Sequence, residues 1–363
     1  MSIEELHGVR GRILCIHQGA MGDLILALPA IKALRECLQP QWLEVRGHPW
    51  TLPLVYGHPY ADAVIDCNSA AMAPLFLEDS HLPPALKEYL GTFDAAFCFS
   101  RSTVLAHNLR EGGIPTTVLL SPFPEKRLHL IDHHLSSLKT LGITPSSATP
   151  KIYLPKEEQE WAEEFFRRRG FNRNEIIALH PGAGSRKKAW APERFAALGR
   201  ALTQKSKKLL IIQGPADAQC VEETVMGLEG ITYLVTRDMP IIKVAALLSR
   251  AGLFIGNDSG ISHLAAALEV PTLALFGPTD PLSWAPRGER ASWLQGKTEC
   301  APCTPATLRT CERQRCLEAI EKEAVLARIA EKLLPLNKGK HSMRETPPHR
   351  QFEGYEGISV PLP

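Results

Sequence analysis

A carboxylate in a glycine-containing loop is the first feature of this sequence that could take part in chemistry. Asp23 follows Gly19-Ala20-Met21-Gly22 and lies between an apolar run, Arg12 to His17, and a stretch of helical apolar spacing, Leu24 to Leu38. This strand–loop–helix pattern puts Asp23 where open α/β sheets bind their ligands. The Gly-x-x-Gly spacing is not that of dinucleotide-binding loops. A second interpretation stays open, because Asp is also a favoured helix cap.

A second loop combines glycines, a serine and three basic residues. It reads His180-Pro181-Gly182-Ala183-Gly184-Ser185-Arg186-Lys187-Lys188-Ala189-Trp190 and follows a predicted strand. The small residues free backbone N–H groups to face an anion, and the basic side chains supply the counter-charge. The loop therefore predicts a phosphate site, with a solvated basic turn as the alternative. Its spacing is not that of a P-loop, so ATP hydrolysis is not indicated.

A third polar turn follows the predicted strand Leu253 to Gly256. Asp258, Ser259 and Gly260 open a predicted helix, where Ser259 and Gly260 can present backbone donors, and His263 lies one turn further on. Taken singly, Asp258 could be a helix cap and His263 a core or capping histidine. Together with the basic loop, they place two anion-receptive loops in one half of the chain, which favours a ligand site.

Metal dependence is not expected from the carboxylates. The sequence contains no Asp-x-Asp pair that could bridge a metal ion to a diphosphate. The basic loop and the helix N-termini would then have to balance the charge of a leaving group. We expect no metal and no other cofactor in the reaction.

Four of the nine cysteines form a local group, Cys300-x2-Cys303-x7-Cys311-x4-Cys316. Four thiols are the right number for tetrahedral zinc, but the second and third spacings do not match a standard pair of zinc knuckles. A loop of reduced thiols on the outside of the second domain is the alternative.

The bulk composition limits the class of protein. The chain has 363 residues, 44% of them hydrophobic, and its 41 basic and 39 acidic residues leave a net charge of +2. This length predicts two domains, and the balanced charge argues against a nucleic-acid-binding surface. No apolar run is long enough for a membrane-spanning helix, and the N-terminus lacks the order of a signal peptide, so we expect a cytoplasmic protein.

The elements that must position these loops form two successive α/β series. We expect residues 1–160 to form one Rossmann-like domain, residues 161–335 a second, and residues 336–363 a flexible tail. Short apolar segments alternate with helical ones in both halves, which predicts mostly parallel sheets covered on both faces. The predicted strands after the first are Trp42 to Val45, Ala63 to Cys67, Ala95 to Phe99, Thr116 to Leu120, Ile176 to His180, Leu209 to Gln213, Ile231 to Val235, Leu253 to Gly256 and Thr272 to Phe276.

These loops together resemble the glycosyltransferase family that includes the ADP-heptose:lipopolysaccharide heptosyltransferases. The resemblance spans residues 12 to about 286. It is carried by Gly19 to Leu24 with Leu28-Pro29-Ala30, His180 to Trp190, Gly214-Pro215-Ala216-Asp217, Gly256 to Gly260 with His263, and Phe276 to Pro281.

The resemblance implies an α/β GT-B fold, in which two Rossmann-like domains face each other across a central cleft. It also implies an inverting, metal-independent transfer of heptose from ADP-heptose to the lipopolysaccharide inner core. The donor would bind in the C-terminal domain and the lipid-linked acceptor in the N-terminal one. Peripheral contact with the inner membrane would follow, and basic residues such as Lys338 and Lys340 could help it.

Residue by residue, the resemblance makes Asp23 the catalytic base, which accepts the proton of the acceptor hydroxyl. Lys188 would neutralise the departing diphosphate. Asp217 matches an acidic residue expected near the ribose. The remaining residues implied in nucleotide-sugar binding are Ala183, Gly184, Ser185, Asp258, Ser259, Gly260 and His263.

Two positions concern the acceptor. His17 stands where the family usually has an arginine, so it could take over an acceptor-phosphate contact, or that contact could be absent. Arg101 falls where other members carry basic residues for an anionic acceptor. Two alternatives remain: a related transferase with another nucleotide sugar or surface-glycan acceptor, and a non-catalytic scaffold that binds a metal or a partner through the cysteine group.

Overall fold

The computed structural model describes residues 11–78, 81–172, 175–203 and 207–333. The predicted tail, residues 336–363, lies outside the described residues. Among the helices described, none has both the length and the apolar character needed to cross a bilayer.

The first half of the described chain forms a five-stranded parallel sheet in the order β3-β2-β1-β4-β5. The neighbouring helices are α1 to α4, and α1 packs against both α4 and a helix of the second half. The strands are β1 (Arg12–Ile16), β2 (Trp42–Gly47), β3 (Ala63–Asp66), β4 (Ala95–Phe99) and β5 (Thr116–Leu120). The helices are α1 (Met21–Leu38), α2 (Pro84–Leu90), α3 (Thr103–Glu111) and α4 (Leu130–Lys139).

The second half forms a six-stranded parallel sheet in the order β11-β10-β9-β6-β7-β8. Its strands are β6 (Ile176–His180), β7 (Lys208–Ile212), β8 (Tyr233–Thr236), β9 (Leu253–Asn257), β10 (Thr272–Phe276) and β11 (Ala291–Gln295). Its helices are α5 (Lys156–Arg167), α6 (Pro192–Thr203), α7 (Ala218–Met226), α8 (Ile241–Leu248), α9 (Gly260–Ala267), α10 (Pro281–Trp284), α11 (Pro305–Thr310), α12 (Arg315–Glu318) and α13 (Lys322–Lys332).

The α/β class with two Rossmann-like sheets is confirmed, and β4, β5, β6 and β10 have the predicted bounds. The edge strand β11 was not predicted, and β8 begins two residues later than expected. The boundary at residue 160 stays a prediction; it falls inside α5, which packs against α8 of the second half.

In both sheets, the order in which successive strands are added reverses at a central strand. In the first, β1 pairs with β2 on one side and with β4 on the other; in the second, β6 pairs with β7 and β9. Ligands of open parallel sheets bind beyond the carboxyl ends of the strands at such a switch point. The Gly19–Asp23 loop follows β1, the basic loop follows β6, and the Asp258 turn follows β9.

The two halves meet through packed helices. α1 lies against α9, and one continuous cluster of buried apolar side chains includes residues of both, such as Leu28 and Leu264. Pro29 is tolerated inside α1 and is itself buried. This apolar contact brings the N-termini of α1 and α9 together, and with them the loops that precede them.

Candidate active site

Asp23 lies in the first turn of α1, three positions after the N-cap residue Ala20. Its Oδ2 accepts a hydrogen bond from the Ala20 backbone N–H at 3.2 Å, so the carboxylate does help to cap the helix. Burial raises the pKa of Asp23 and nearby Asp258 adds to the effect, while the Ala20 N–H and Lys188 oppose it. The net result is a pKa above the ordinary value of 3.8, which makes this carboxylate a better proton acceptor.

Lys188 and Asp258, which both belong to the second half of the chain, form an ion pair at the site. The Lys188 Nζ lies 3.0 Å from the Asp258 Oδ2, which also accepts a 2.6 Å hydrogen bond from the Thr279 hydroxyl. Lys188 ends a short 3-10 turn, Arg186–Lys188, that begins after Ser185. The structure therefore brings Lys188 and Asp258 together, within electrostatic reach of Asp23 on the other domain.

The other two basic side chains of this loop point elsewhere. Lys187 donates to the backbone carbonyls of Leu308 and Arg309, at 2.9 and 2.7 Å, and Arg186 lies 3.9 Å from Glu223. Lys188 is thus the member of the basic triplet that faces Asp258. The spacing of the loop did not separate the three, whereas the family resemblance singled out Lys188.

The N-termini of α1 and α9 approach each other at a pair of glycines. A Cβ atom added to Gly260 would lie 2.8 Å from the Met21 Cε and 3.1 Å from the Gly22 backbone nitrogen, and one added to Gly22 would lie 3.2 Å from the His263 Cδ2. Side chains at these positions would therefore push the two helices apart. The close approach aims the positive ends of both helix dipoles at one small region.

His263 lies on α9, beside Gly22. Its side chain is buried, its Nδ1 has no hydrogen-bond partner in the described part of the chain, and burial lowers its pKa to about 4. At neutral pH the imidazole is uncharged, so it can donate one hydrogen bond and accept another but adds no positive charge.

Asp217 ties together the loops that follow β6 and β7. Its carboxylate accepts hydrogen bonds from the His180 Nε2 and the Gly214 N–H, both at 2.9 Å, and a Cβ added to Gly182 would lie 2.0 Å from its Cγ. Burial tends to raise the pKa of Asp217, but the His180 hydrogen bond and the backbone N–H donors outweigh it and lower the pKa. The carboxylate is thus engaged within the protein while also bordering a cavity.

Asn257 was not predicted as a site residue, although it holds the basic loop in place. The nitrogen of its buried amide donates to the carbonyls of Pro181 and Gly182, at 2.9 and 3.1 Å. The amide oxygen accepts a hydrogen bond from the backbone N–H of Trp190 at 2.9 Å. The indole N–H of Trp190 donates to the Ile320 carbonyl. The sequence signal that could have identified Asn257 is its position, because a polar residue at the end of a fully buried strand must find hydrogen-bond partners.

A cavity of about 450 Å³ opens beside these loops. Part of its lining is apolar, and part comes from the loops that follow the strands, with His180, Ala183, Gly184, Ser259 and Gly260. The apolar lining is formed by Ile212, Met239, Ile241, Val244 and Ile261. A second cavity, of about 430 Å³ between β5 and α4, has no charged side chain among its described lining residues and lies away from Asp23.

The two predicted acceptor residues differ in their surroundings. His17 is buried edge-to-face against Phe99, and a Cβ added to Gly19 would lie 2.8 Å from its Cε1 and 3.1 Å from the Asp23 Oδ2. Burial lowers the pKa of His17 to about 4, so it is neutral at physiological pH. Arg101 is exposed, and its guanidinium donates to the Ser121 hydroxyl and the Phe123 carbonyl.

Near α4 and α10, polar contacts join the two halves of the molecule. Arg127 binds both carboxylate oxygens of Asp280, and Arg287 binds both oxygens of Asp132. The His129 ring nitrogen Nε2 lies 2.9 Å from the Ala285 carbonyl oxygen. We call these contacts the interdomain seam.

The cysteine group is the remaining motif that the sequence analysis singled out. No set of three or more His, Cys, Asp or Glu side chains among the described residues is placed to hold a metal ion. Burial and the neighbouring Cys300 and Cys311 thiols raise the pKa of Cys303, which favours its neutral thiol. The group contains free thiols.

Comparison with known proteins agrees with this architecture. The chain is 25% identical over 341 residues to lipopolysaccharide heptosyltransferase 3 of Escherichia coli K12, covering 86% of this chain and 95% of that protein. A glycosyl transferase family 9 crystal structure from Veillonella parvula superposes with a TM-score of 0.76 at 22% identity, covering 90% and 98% of the two chains. E. coli ADP-heptose LPS heptosyltransferase II superposes with a TM-score of 0.70 at 19% identity, covering 90% and 99%.

The fold is GT-B, with two Rossmann-like domains around a cleft. The sequence model of glycosyltransferase family 9 (heptosyltransferase) matches residues 125–312, just over half of the chain. The chain therefore belongs to this family, and it is a glycosyltransferase.

Proposed function

We propose that the protein transfers a heptose from ADP-heptose to a sugar of the lipopolysaccharide inner core, with inversion at the anomeric carbon and with Asp23 as general base. The observation that carries this proposal is the meeting of Asp23 with the Lys188–Asp258 pair, from opposite domains, beside a cavity of about 450 Å³. That volume falls within the range typical of small-molecule sites.

The donor is expected to lie with its nucleoside in this cavity and its diphosphate towards Lys188. The apolar lining formed by Met239, Ile241 and Val244 suits a planar base. The loop backbone at Ala183 and Gly184 and the helix start at Gly260 offer N–H groups to phosphate oxygens. The names of the similar E. coli proteins support a heptose donor carried on ADP.

In the proposed reaction, the acceptor oxygen attacks the anomeric carbon as the bond to the ADP oxygen breaks. Asp23 takes the proton of the attacking hydroxyl. Lys188, freed in part from Asp258 by the donor, and the N-terminus of α9 stabilise the charge that develops on the departing diphosphate. Neutral His263 can hydrogen-bond an uncharged sugar hydroxyl or a phosphate oxygen.

For the acceptor, we propose a lipid-linked core sugar bound by the N-terminal domain, with contact at the inner face of the membrane. The neutral state of His17 favours a hydroxyl partner over a phosphate at this position. Arg101 supplies an exposed cation at the carboxyl end of β4, although its present hydrogen bonds must rearrange for it to bind an anion.

The test is release of ADP by purified protein given ADP-heptose and a truncated lipopolysaccharide. The wild type should release ADP only when both substrates are present, and Asp23→Asn should lose turnover by about 10²-fold or more while still binding ADP. Full activity of Asp23→Asn would disprove the base assignment. A thermal-shift panel of ADP-, UDP- and GDP-sugars tests the donor, since the matching ligand raises the melting temperature.

A further inference from the structure

One aromatic side chain from the N-terminal domain borders the cavity that is formed mainly by the C-terminal domain. Trp50 is the one Phe, Tyr or Trp among the described residues that line this cavity, and it is 48% exposed. The other N-terminal residues that reach the cavity are Ala20, Met21 and Gly22 at the start of α1. The N-terminal domain thus supplies one large aromatic surface to a cavity whose other described lining residues are aliphatic, polar or small.

The backbone that carries Trp50 is well anchored. The Thr51 N–H and hydroxyl both donate to the His48 carbonyl at 3.0 Å, and the following 3-10 turn, Leu52–Leu54, buries both of its leucines. That turn packs against α8, the helix that supplies Ile241 and Val244 to the cavity. The indole is thus exposed on a fixed support at the cavity rim, rather than on a loose loop.

The apolar residues of the cavity determine what the indole can cover. The apolar lining of the cavity comes from β7, the residues before α8, and the starts of α8 and α9, and Asp238 adopts a left-handed backbone, φ 51°, immediately before Met239. A flat ring bound against these residues lies in the same cavity that Trp50 lines, so its second face is available to the indole. Indole stacking on a nucleobase is favourable and needs only a π-face.

We propose that Trp50 covers the nucleobase of the bound donor from the opposite domain, as a positioning residue for the nucleotide. This inference rests on the proposed function, in which the cavity holds a nucleoside diphosphate. It adds that the base is held between the two domains, so that nucleotide binding itself favours the paired arrangement of the domains.

The experiment compares the dissociation constants of ADP and of inorganic pyrophosphate, measured by titration calorimetry. Trp50→Ala should weaken ADP binding about tenfold, a typical loss for one base–aromatic stack, while Trp50→Phe should keep it within about threefold. Pyrophosphate has no base, so its affinity should be the same in all variants. Tyr56→Ala is the matched control, because Tyr56 is 52% exposed, lies in the same domain and is not a lining residue.

The outcomes separate the two proposals. Wild-type protein that binds no ADP contradicts the proposed function itself. Wild-type protein that binds ADP, with Trp50→Ala binding it equally well, overturns the role of Trp50 and leaves the proposed function intact. Equal losses of ADP and pyrophosphate in Trp50→Ala would show a general structural defect and would also overturn the inference.

Discussion

At the scale of single residues, the carboxyl group of Asp23 lies near the positive charge of Lys188 and the negative charge of Asp258. Burial and Asp258 raise the pKa of its carboxyl group, and Lys188 lowers it. A general base must be deprotonated, so kcat/KM should fall as the pH drops through this pKa, and the fall should begin at a higher pH than for an ordinary aspartate.

The neighbouring charges make this prediction sharper. Asp258→Asn removes a negative charge and should move the acid limb of the pH–rate profile to lower pH, whereas Lys188→Ala removes a positive charge and should move it to higher pH. The measurement is kcat/KM across the acid range in each variant. An acid limb at the same pH in both variants would show that Asp23 is not the titrating group.

Lys188 should matter for the departing diphosphate far more than its neighbour Lys187. Lys188→Ala removes the cation nearest Asp258 and leaves that buried carboxylate without its ion-pair partner, so we expect kcat to fall by about 10²–10³-fold. Lys187→Ala is the matched control, because Lys187 is bound to backbone carbonyls near α11. Steady-state kinetics of ADP release compare the two. Equal losses would contradict the distinction.

The sequence predicted that Asp23, Lys188 and Asp258 lie near one another, because the loops that carry them each follow a buried strand and together resemble those of the family. It could not give their partners. That Asp217 is hydrogen-bonded to His180, or that His17 is neutral, depends on burial and on contacts between residues far apart in the chain.

At the scale of elements, the approach of α1 to α9 depends on glycine. Gly260→Ala places a methyl group 2.8 Å from the Met21 Cε, which can move, and 3.1 Å from the Gly22 nitrogen, which is backbone. Overpacking of this kind typically costs about 1–3 kcal/mol, and the helices must separate to relieve it. We expect a lower melting temperature and reduced turnover.

A second glycine provides the control for that substitution. A Cβ on Gly184 meets no atom within 4 Å, so Gly184→Ala should leave the melting temperature unchanged. The measurement is the melting temperature of both variants without ligand. A Gly260→Ala protein as stable and as active as the wild type would mean that the helices do not need this close approach.

Prediction of the elements succeeded where burial is complete. The strands β4, β6 and β10 are buried throughout, so their apolar runs mark both ends. The edge strand β11, with Ser292 and Gln295, is only half-buried and shows no such run. Its place in the sheet comes from pairing with β10, which no local pattern reveals.

At the scale of the whole molecule, the two domains are held together by two different kinds of contact. Apolar packing joins α1 to α9, whereas the interdomain seam uses the ion pairs Arg127–Asp280 and Arg287–Asp132. Apolar contacts are not screened by salt, but partly exposed ion pairs are. The seam is therefore a part of the domain contact that ionic strength can loosen.

This difference leads to a prediction about closure of the cleft. Asp132→Asn and Arg287→Gln should each raise KM for the donor modestly, because each pair of this kind is worth about 0.2–1 kcal/mol, or up to about fivefold. In a double-mutant cycle the two losses should not add, since both remove the same interaction. The wild type should lose affinity as salt rises, and the double variant should lose less. Additive effects with an unchanged salt dependence would show that this pair takes no part in holding the domains closed.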